Sequence, residues 1–202
     1  MQREERSERS RRHVLDAALR LFSRRGYRAT TVRDIADEAK VSTGNVYHHF
    51  PDKETIFRTL LDEFSAITET KRYPFTRALL AGRFPDDIEQ LGQAARESVR
   101  EFRDYIALIY IDVIEFEGTH IRRFYGDMGR RIAAVLGPET MGQIQSRMRP
   151  NVPPISALLL TARIFFNYFS IEILFNVAEP FGKDSTTVVS EIADILRNGM
   201  LL

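Results

Sequence analysis

Residues 31–53 read TVRDIADEAKVSTGNVYHHFPDK, and the spacing of their apolar positions decides the fold. Val32, Ile35, Ala36 and Ala39 fall at i, i+3, i+4 and i+7, one buried stripe of a short helix. Thr31 stands where an N-cap belongs, and its hydroxyl can accept an orphan backbone N–H. Lys40-Val41-Ser42 breaks the pattern, with Val41 as an apolar plug and Ser42 as a second N-cap. A helix of about two turns follows, through Val46 to His48. Two short helices joined by a tight turn, the second polar on its outer face, make a helix-turn-helix. Thr43, Gly44, Asn45, Tyr47 and His48 lie on that outer face, and such side chains hydrogen-bond phosphates and base edges. The pattern points to duplex DNA.

The surrounding residues extend the pattern on both sides. AALRLFSRRGYRATTVRDIA precedes the turn and VSTGNVYHHFPDKETIF follows it. An apolar helix ending in Gly-Tyr, a Thr-Thr cap, Ile-Ala in the second helix, Tyr-x-His-Phe closing the third and Lys-Glu opening the fourth occur in one order and spacing. From Leu15 through Leu61 this resembles the N-terminal domain of the tetracycline-repressor (TetR) family of bacterial transcription regulators. One departure is Lys40, where the family usually carries Gly. A left-handed conformation there would cost a Lys roughly 1–2 kcal/mol.

The resemblance implies roles for individual residues. Tyr47 and His48 match positions that touch the DNA backbone. Thr43, Gly44 and Asn45 match positions facing the major groove, where Asn can pair with adenine. Arg33 matches a position that reaches phosphate or a guanine edge. Thr30 and Thr31 are phosphate candidates as well as caps, and Ser42 is a cap and candidate contact. Lys53, after Pro51-Asp52, opens the fourth helix, where backbone N–H groups and an ammonium can grip one phosphate together. His49 is expected to face inward or to be merely exposed.

Composition agrees with an intracellular DNA-reading protein. The chain has 202 residues and a formal net charge of +1, with Arg and Lys in modest excess up to about residue 60 and a slightly acidic remainder. It has no Cys, which excludes a disulfide framework, a thiolate nucleophile and a Cys-based zinc site. The segment MQREERSERSRRH lacks the apolar run of a signal peptide, so a cytoplasmic location is expected. Arg3, Arg6, Arg9, Arg11 and Arg12 could reach a minor groove, but they interleave with Glu4, Glu5 and Glu8. Residues 1–9 are accordingly expected to be a flexible, solvated arm.

The remaining pattern is helical throughout, and the expected fold class is all-α. A first helix is expected from near Ser10 to Gly26, with Val14, Leu15, Ala18, Leu21 and Phe22 inward. A fourth begins after Asp52 with Ile56, Phe57, Leu60, Leu61 and Phe64 as its stripe, running to about Lys71. Residues 72–85, with Pro74, Gly82 and Pro85, read as a loop with one helical turn at most. Helices resume at Asp86, at Tyr105–Phe116 and at Thr119–Leu136; Gly137-Pro138 should break the last of these. Pro153-Pro154 fits a helix start, and a final helix is expected from Ser185 to Leu196. The expected domains are residues 1–52, the DNA-binding head, and residues 53–202, a helical body for ligand binding and dimerisation.

The body's most apolar segment runs from Ile155 to Phe175. It is long enough to span a bilayer, but Arg163 and Glu172 would each cost a few kcal/mol there, so a buried helix without membrane contact is expected. Ser156, Arg163, Asn167 and Ser170 form a narrow polar stripe that meets solvent or lines a cavity, while Glu172 points the other way. In the TetR family the last two long helices build a four-helix dimer bundle, and residues 153–177 with 185–196 match that plan. Two heads on one homodimer would read a palindrome-like, double-stranded operator.

The resemblance also implies a small-molecule effector among the body helices. Aromatic residues there, including Tyr110, Phe116 and Phe166, favour a hydrophobic ligand; Asp112, Glu115, Arg163, Asn167 and Ser170 are the candidates to orient it. A surface position or a buried ion pair is the competing reading for each polar one. Arg122, Arg123, Arg130 and Arg131 raise the alternative of a long-chain acyl thioester, against a plain basic face. Glu117-x-x-His120 has the spacing of a di-iron carboxylate motif, but the other histidines, His13, His48 and His49, supply no second copy. No Gly-rich phosphate loop or nucleophile elbow is present, so neither catalysis, a metal nor a cofactor is expected. The expected function is a ligand-released repressor; the alternative from another class is an adaptor that binds DNA weakly and dimerises with a protein partner.

Overall fold

The computed structural model describes residues 2–81 and 84–200, except the side chains of Gln2, Arg3 and Met200. Gly82, read as part of a loop, lies outside the described residues, as does the side chain of Arg3. Ten helices and no strand occur among the described residues: α1 (Gln2–Arg25), α2 (Val32–Ala39), α3 (Thr43–His49), α4 (Lys53–Ile67), α5 (Pro74–Leu80), α6 (Ile88–Glu101), α7 (Arg103–Glu115), α8 (Ile121–Ser146), α9 (Pro154–Ile173) and α10 (Ser185–Met200). They divide into two compact units, one comprising the chain to Ser65 with Asp104–Phe124, the other Ala66–Arg103 with the chain from Tyr125 on. The sequence reading placed the division at residues 52 and 53. In the structure it falls inside α4, and α7 with the start of α8 belongs to the first unit.

The core of the first unit follows the apolar stripes. Val14, Leu15, Ala18 and Phe22 of α1 are fully buried with Ile35 and Ala36 of α2, Val46 of α3, and Ile56, Phe57 and Leu60 of α4. Leu108 of α7 and Ile121 of α8 complete the cluster, although more than forty residues separate them from α4 in sequence. In the second unit α6 packs against α5, α9 and α10. Gly92 of α6 faces α9 and α10: a Cβ there would lie 2.8 Å from Val189 Cγ1 and 2.9 Å from Phe165 Cε1. No larger residue fits without displacing those buried side chains.

Four boundaries differ from the sequence reading. α1 begins at Gln2, not near Ser10. Residues 2–9 contain no Gly, Pro or β-branched residue, and Glu4 and Glu5 complement the positive end of the helix dipole, so the expected arm is helical. α4 stops at Ile67, and the stretch read as a loop contains α5. That helix starts at Pro74 in its first turn, buries Phe75 and Leu79, and donates the Phe75 N–H to Ser98 Oγ of α6 at 3.1 Å. α10 runs past Asn198-Gly199. The break at Gly137 is as expected: φ 76° and ψ 165° interrupt α8 just before Pro138.

α9 is long and apolar enough to cross a membrane by length and composition. Its apolar face, with Ala157, Leu158, Phe165 and Phe169, is buried inside the second unit instead. Glu172, on the other side from the polar stripe, pairs with Arg96 of α6 at 2.7 Å.

Lys40 has φ 58° and ψ 43° and ends α2 in the left-handed conformation. Its N–H donates to Asp37 O at 3.2 Å and the Val41 N–H to Ala36 O at 3.0 Å, a Schellman closure that turns the chain into α3. A Cβ in this conformation is strained, and glycine removes the strain at some cost in chain entropy. Lys40→Gly is therefore expected to stabilise the protein by about 1 kcal/mol in urea unfolding followed by circular dichroism. A destabilised variant would show that the Lys side chain contributes more than its backbone costs.

Candidate nucleic-acid interface

The two helices of the turn are capped by the residues the sequence nominates. Thr31 Oγ1 accepts the Asp34 N–H at 3.1 Å, and Asp34 Oδ2 accepts the Thr31 N–H at 2.8 Å, a reciprocal capping box. Hydrogen bonds from Thr31 hold the Asp34 carboxyl below its ordinary range. Ser42 Oγ accepts the Asn45 N–H at 3.1 Å and opens α3. Behind α3, Val46 and Phe50 are buried, which leaves the opposite face to solvent.

That face carries most of the expected contacts. Thr43, Gly44, Tyr47 and His48 are exposed, Tyr47 to 56%. A Cβ on Gly44 would meet only Ser42 Oγ, at 3.8 Å, so nothing inside the chain requires a glycine there. Arg33 on α2 is exposed, with Asp37 at 4.0 Å. Thr31 and Ser42 lie at the exposed N-termini of α2 and α3. His49 is half-buried, its Nε2 is without a hydrogen-bond partner, and burial lowers its pKa.

Three residues sit differently from their expected roles. Thr30 is fully buried and its hydroxyl donates to Gly26 O at 2.8 Å, so its side chain braces a turn and reaches no phosphate. Asn45 is half-buried, and its Oδ1 accepts the Ser10 hydroxyl at 2.6 Å. Pairing with adenine needs that oxygen as well as the amide N–H, so α1 leaves Asn45 chiefly a donor. The Lys53 ammonium donates to Tyr27 O and Thr30 O, each at 2.7 Å, and lies 4.0 Å from the centre of the Tyr27 ring. Partial burial lowers its pKa, and the nearby Glu115 opposes that.

Glu115 holds the same loop from its other side. Its carboxylate accepts the N–H of Tyr27 at 3.0 Å and of Arg28 at 2.7 Å. Gly26, at φ 85°, leaves room for it: a Cβ there would lie 2.7 Å from Glu115 Oε1. The α1–α2 loop is thus held by a cation on its carbonyls and an anion on its N–H groups. Glu115 is a clamp in the first unit and not an effector contact. Its neighbours share that fate. Asp112 is fully buried, accepting from His120 Nδ1 at 2.6 Å and from the Ile121 N–H at 2.9 Å, and so fixes the α7–α8 turn. Phe116 packs on Tyr27 and Phe57 at ring distances of 4.5 and 5.0 Å. Tyr110 is exposed to 36% on α7.

The candidates on α9 separate by exposure. Arg163 and Asn167 are exposed, with Arg163 5.7 Å from the Tyr125 ring; Phe166 stacks near Tyr73 and Phe75; Ser170 is buried. Two buried hydroxyls on α9, those of Thr161 and Tyr168, have no hydrogen-bond partner; Tyr168 counts in the sequence only as one of the body's aromatic residues, and Thr161 does not stand out there at all. Threonine and tyrosine inside an apolar helix read as ordinary core, and no sequence signal separates them. Arg131 pairs with Glu69 at 2.6 Å, Arg130 with Asp127, and Arg122 with the Glu117 carbonyl, which favours the basic-face reading. Glu117 and His120 fall in the turn after α7, so their spacing does not place them on one helix face. Among the described residues no group of three or more His, Asp or Glu is arranged to hold a metal.

A capped helix-turn-helix with a polar outward α3 defines a DNA-binding head, and comparison with known proteins places it. Residues 14–60 match the family model for bacterial regulatory proteins of the tetR family. The HTH-type transcriptional repressor KstR2 of Rhodococcus jostii (strain RHA1) is 52% identical over 54 residues, covering 27% of this chain and 26% of that protein. The HTH-type transcriptional regulator YerO of Bacillus subtilis (strain 168) is 29% identical over 114 residues, covering 55% and 39%. The chain thus spans between about a quarter and two-fifths of the length of these curated relatives. The fold extends further: a crystal structure from Mesorhizobium loti MAFF303099, assigned to the TetR family, has a TM-score of 0.70 at 18% identity, covering 98% of this chain and 99% of that one. Residues 14–60 thus carry the DNA-binding domain of the TetR family of transcriptional regulators.

The clamp on the α1–α2 loop is open to a double-mutant cycle. Lys53→Met and Glu115→Gln should each lower unfolding stability by about 1–3 kcal/mol, since each leaves backbone groups without charged partners. Their combined loss should differ from the sum by about 0.5 kcal/mol or more. Strict additivity in urea unfolding would mean that the two side chains act on separate parts of the fold.

Proposed function

We propose that this protein is a homodimeric transcriptional repressor that is released from a palindrome-like operator by a small hydrophobic effector. The observation that carries the reading is the outward face of α3, where Thr43, Gly44, Tyr47 and His48 are exposed above a buried Val46 and Phe50. Ser42, Thr31 and Arg33 flank that face and complete the DNA-contact set, with Asn45 contributing an amide N–H. Gly44 leaves room for close approach of a DNA backbone or base edge. Lys53 serves DNA binding by holding the loop before α2, and its remaining N–H is free for a phosphate. Such a protein works in the cytoplasm.

The second unit supplies support for an effector and a partner copy. Thr161 and Tyr168 lie two turns apart on α9, and buried hydroxyls without partners are what a polar group of a ligand in an apolar pocket satisfies. With Phe166 and Ser170 they replace Asp112, Glu115 and Phe116 as the effector candidates. Leu160 and Ile164 of α9 and Ile195 of α10 are exposed large apolar residues, Ile195 to 71%, and they suit an isologous helix interface. The effector must prefer the state in which the two heads no longer match the operator half-sites, since equal affinity for both states shifts nothing.

Fluorescence anisotropy on duplexes tiled across the DNA upstream of the gene, with a scrambled control, tests the central claim. A tight, salt-sensitive response on one palindrome-like tile is expected; weak and uniform binding would overturn specific regulation. Sedimentation tests the dimer. Leu160→Glu with Ile195→Glu should yield monomers with at least tenfold weaker operator binding, and an intact dimer would rule out this interface.

A further inference from the structure

The N-terminal turns of α1 stand beside α3 and share a cleft with it. The cleft is open, has a volume of about 850 Å³, and is lined by Arg6, Arg9 and His13 of α1 and by Asn45, His48 and His49 from the α3 side. Three of the four histidines in the chain line this one place. Ser10 ties the two walls together through Asn45, and the Arg11 guanidinium lies 5.2 Å from the Phe50 ring centre, so α1 is anchored to α3 along these turns.

The helix also sorts charges that the sequence interleaves. At about 100° per residue, Arg6, Arg9 and His13 fall within roughly 60° of one another, while Glu4 and Glu8 lie about 100° or more from each of them. Among the described residues, Glu5 is the one carboxylate lining the cleft. Arg6 and Arg9 are exposed, and among the described residues neither is paired with a carboxylate. Arg12, by contrast, is committed to Asp16 and Glu63 at 2.6 and 2.9 Å. Two unpaired guanidiniums on the α1 wall, with the imidazole N–H donors of His13 beside them and His48 across the cleft, complement a row of phosphates.

We propose that this cleft is a seat for the DNA backbone, in which Arg6 and Arg9 with His13 and His48 bind phosphates outside the reach of α3's groove-facing residues. The seat rests on the DNA-binding reading above and enlarges its footprint. It adds affinity and salt dependence without reading sequence, because phosphates carry no base identity.

The test uses full-length protein carrying Arg6→Ala and Arg9→Ala, with helicity checked by circular dichroism. Anisotropy is recorded against salt on the duplex that wild type binds best and on its scrambled control. A second double variant, Arg77→Ala with Arg100→Ala, removes the same charge from the other unit. The α1 variant should lose about tenfold or more in affinity on both duplexes, and its slope of log affinity against log salt should fall by about two per protomer, about four for the bound dimer, one per lost phosphate contact. The control should keep the wild-type slope. An unchanged slope in the α1 variant, or an equal fall in the control, overturns the seat while leaving DNA binding by α3 in place. Wild type that binds neither duplex overturns the DNA-binding reading itself and the seat with it.

Discussion

The loop from Gly26 to Thr30 sets the entry of the chain into the helix-turn-helix, and its backbone polar groups are held from two directions. Lys53 takes the carbonyls of Tyr27 and Thr30, and Glu115 takes the N–H groups of Tyr27 and Arg28. The opposite charges each face the backbone dipole that suits them, and Gly26 supplies the space that the carboxylate occupies. The position of α2, and through its left-handed end at Lys40 the position of α3, depends on this clamp. A surface that must match a duplex to a fraction of an ångström gains from such support, because a shift of the loop would carry both helices with it.

The clamp also explains why α7 belongs to the first unit. Its C-terminal turn carries Glu115, and the turn after it is fixed by buried Asp112 and by His120, whose Nε2 lies 3.3 Å from Glu54 at the start of α4. Phe116 fills the space between Tyr27, Phe57 and His120. Residues that look like ligand contacts by type are thus consumed in joining α7 to the loop and to α4. These contacts form a route by which a displacement of α7 would pull on the backbone N–H groups that precede α2. The route is a contiguous set of hydrogen bonds with named ends, which the double-mutant cycle addresses directly.

α1 illustrates how a helix changes the meaning of a charge pattern. Read along the chain, the alternation of Arg and Glu in residues 2–9 cancels and suggests a solvated tail. Wound into a helix, the same residues separate into faces, and the face with Arg6 and Arg9 adjoins α3. Gly92 makes the complementary point in the second unit: its missing side chain is explained only by Val189 and Phe165, which come from two other helices.

Legible in the residues alone are the all-α class, the two caps Thr31 and Ser42, the outward residues of α3 apart from Asn45, the left-handed risk at Lys40, the break at Gly137 and the TetR-like character of the head. These are local properties, written in apolar periodicity, capping chemistry and turn residues over a few positions, and such forces act before any long-range contact forms. The tertiary structure alone decided what the isolated polar residues do. Thr30 could be read as a phosphate ligand, Asn45 as an adenine reader, and Asp112 and Glu115 as effector contacts, because residue type fixes only what a side chain can bond. Which bond it makes depends on partners up to 88 positions away, as with Tyr27 and Glu115. Burial then makes that choice binding, since a carboxylate or amide removed from water must take the donor or acceptor that packing brings to it.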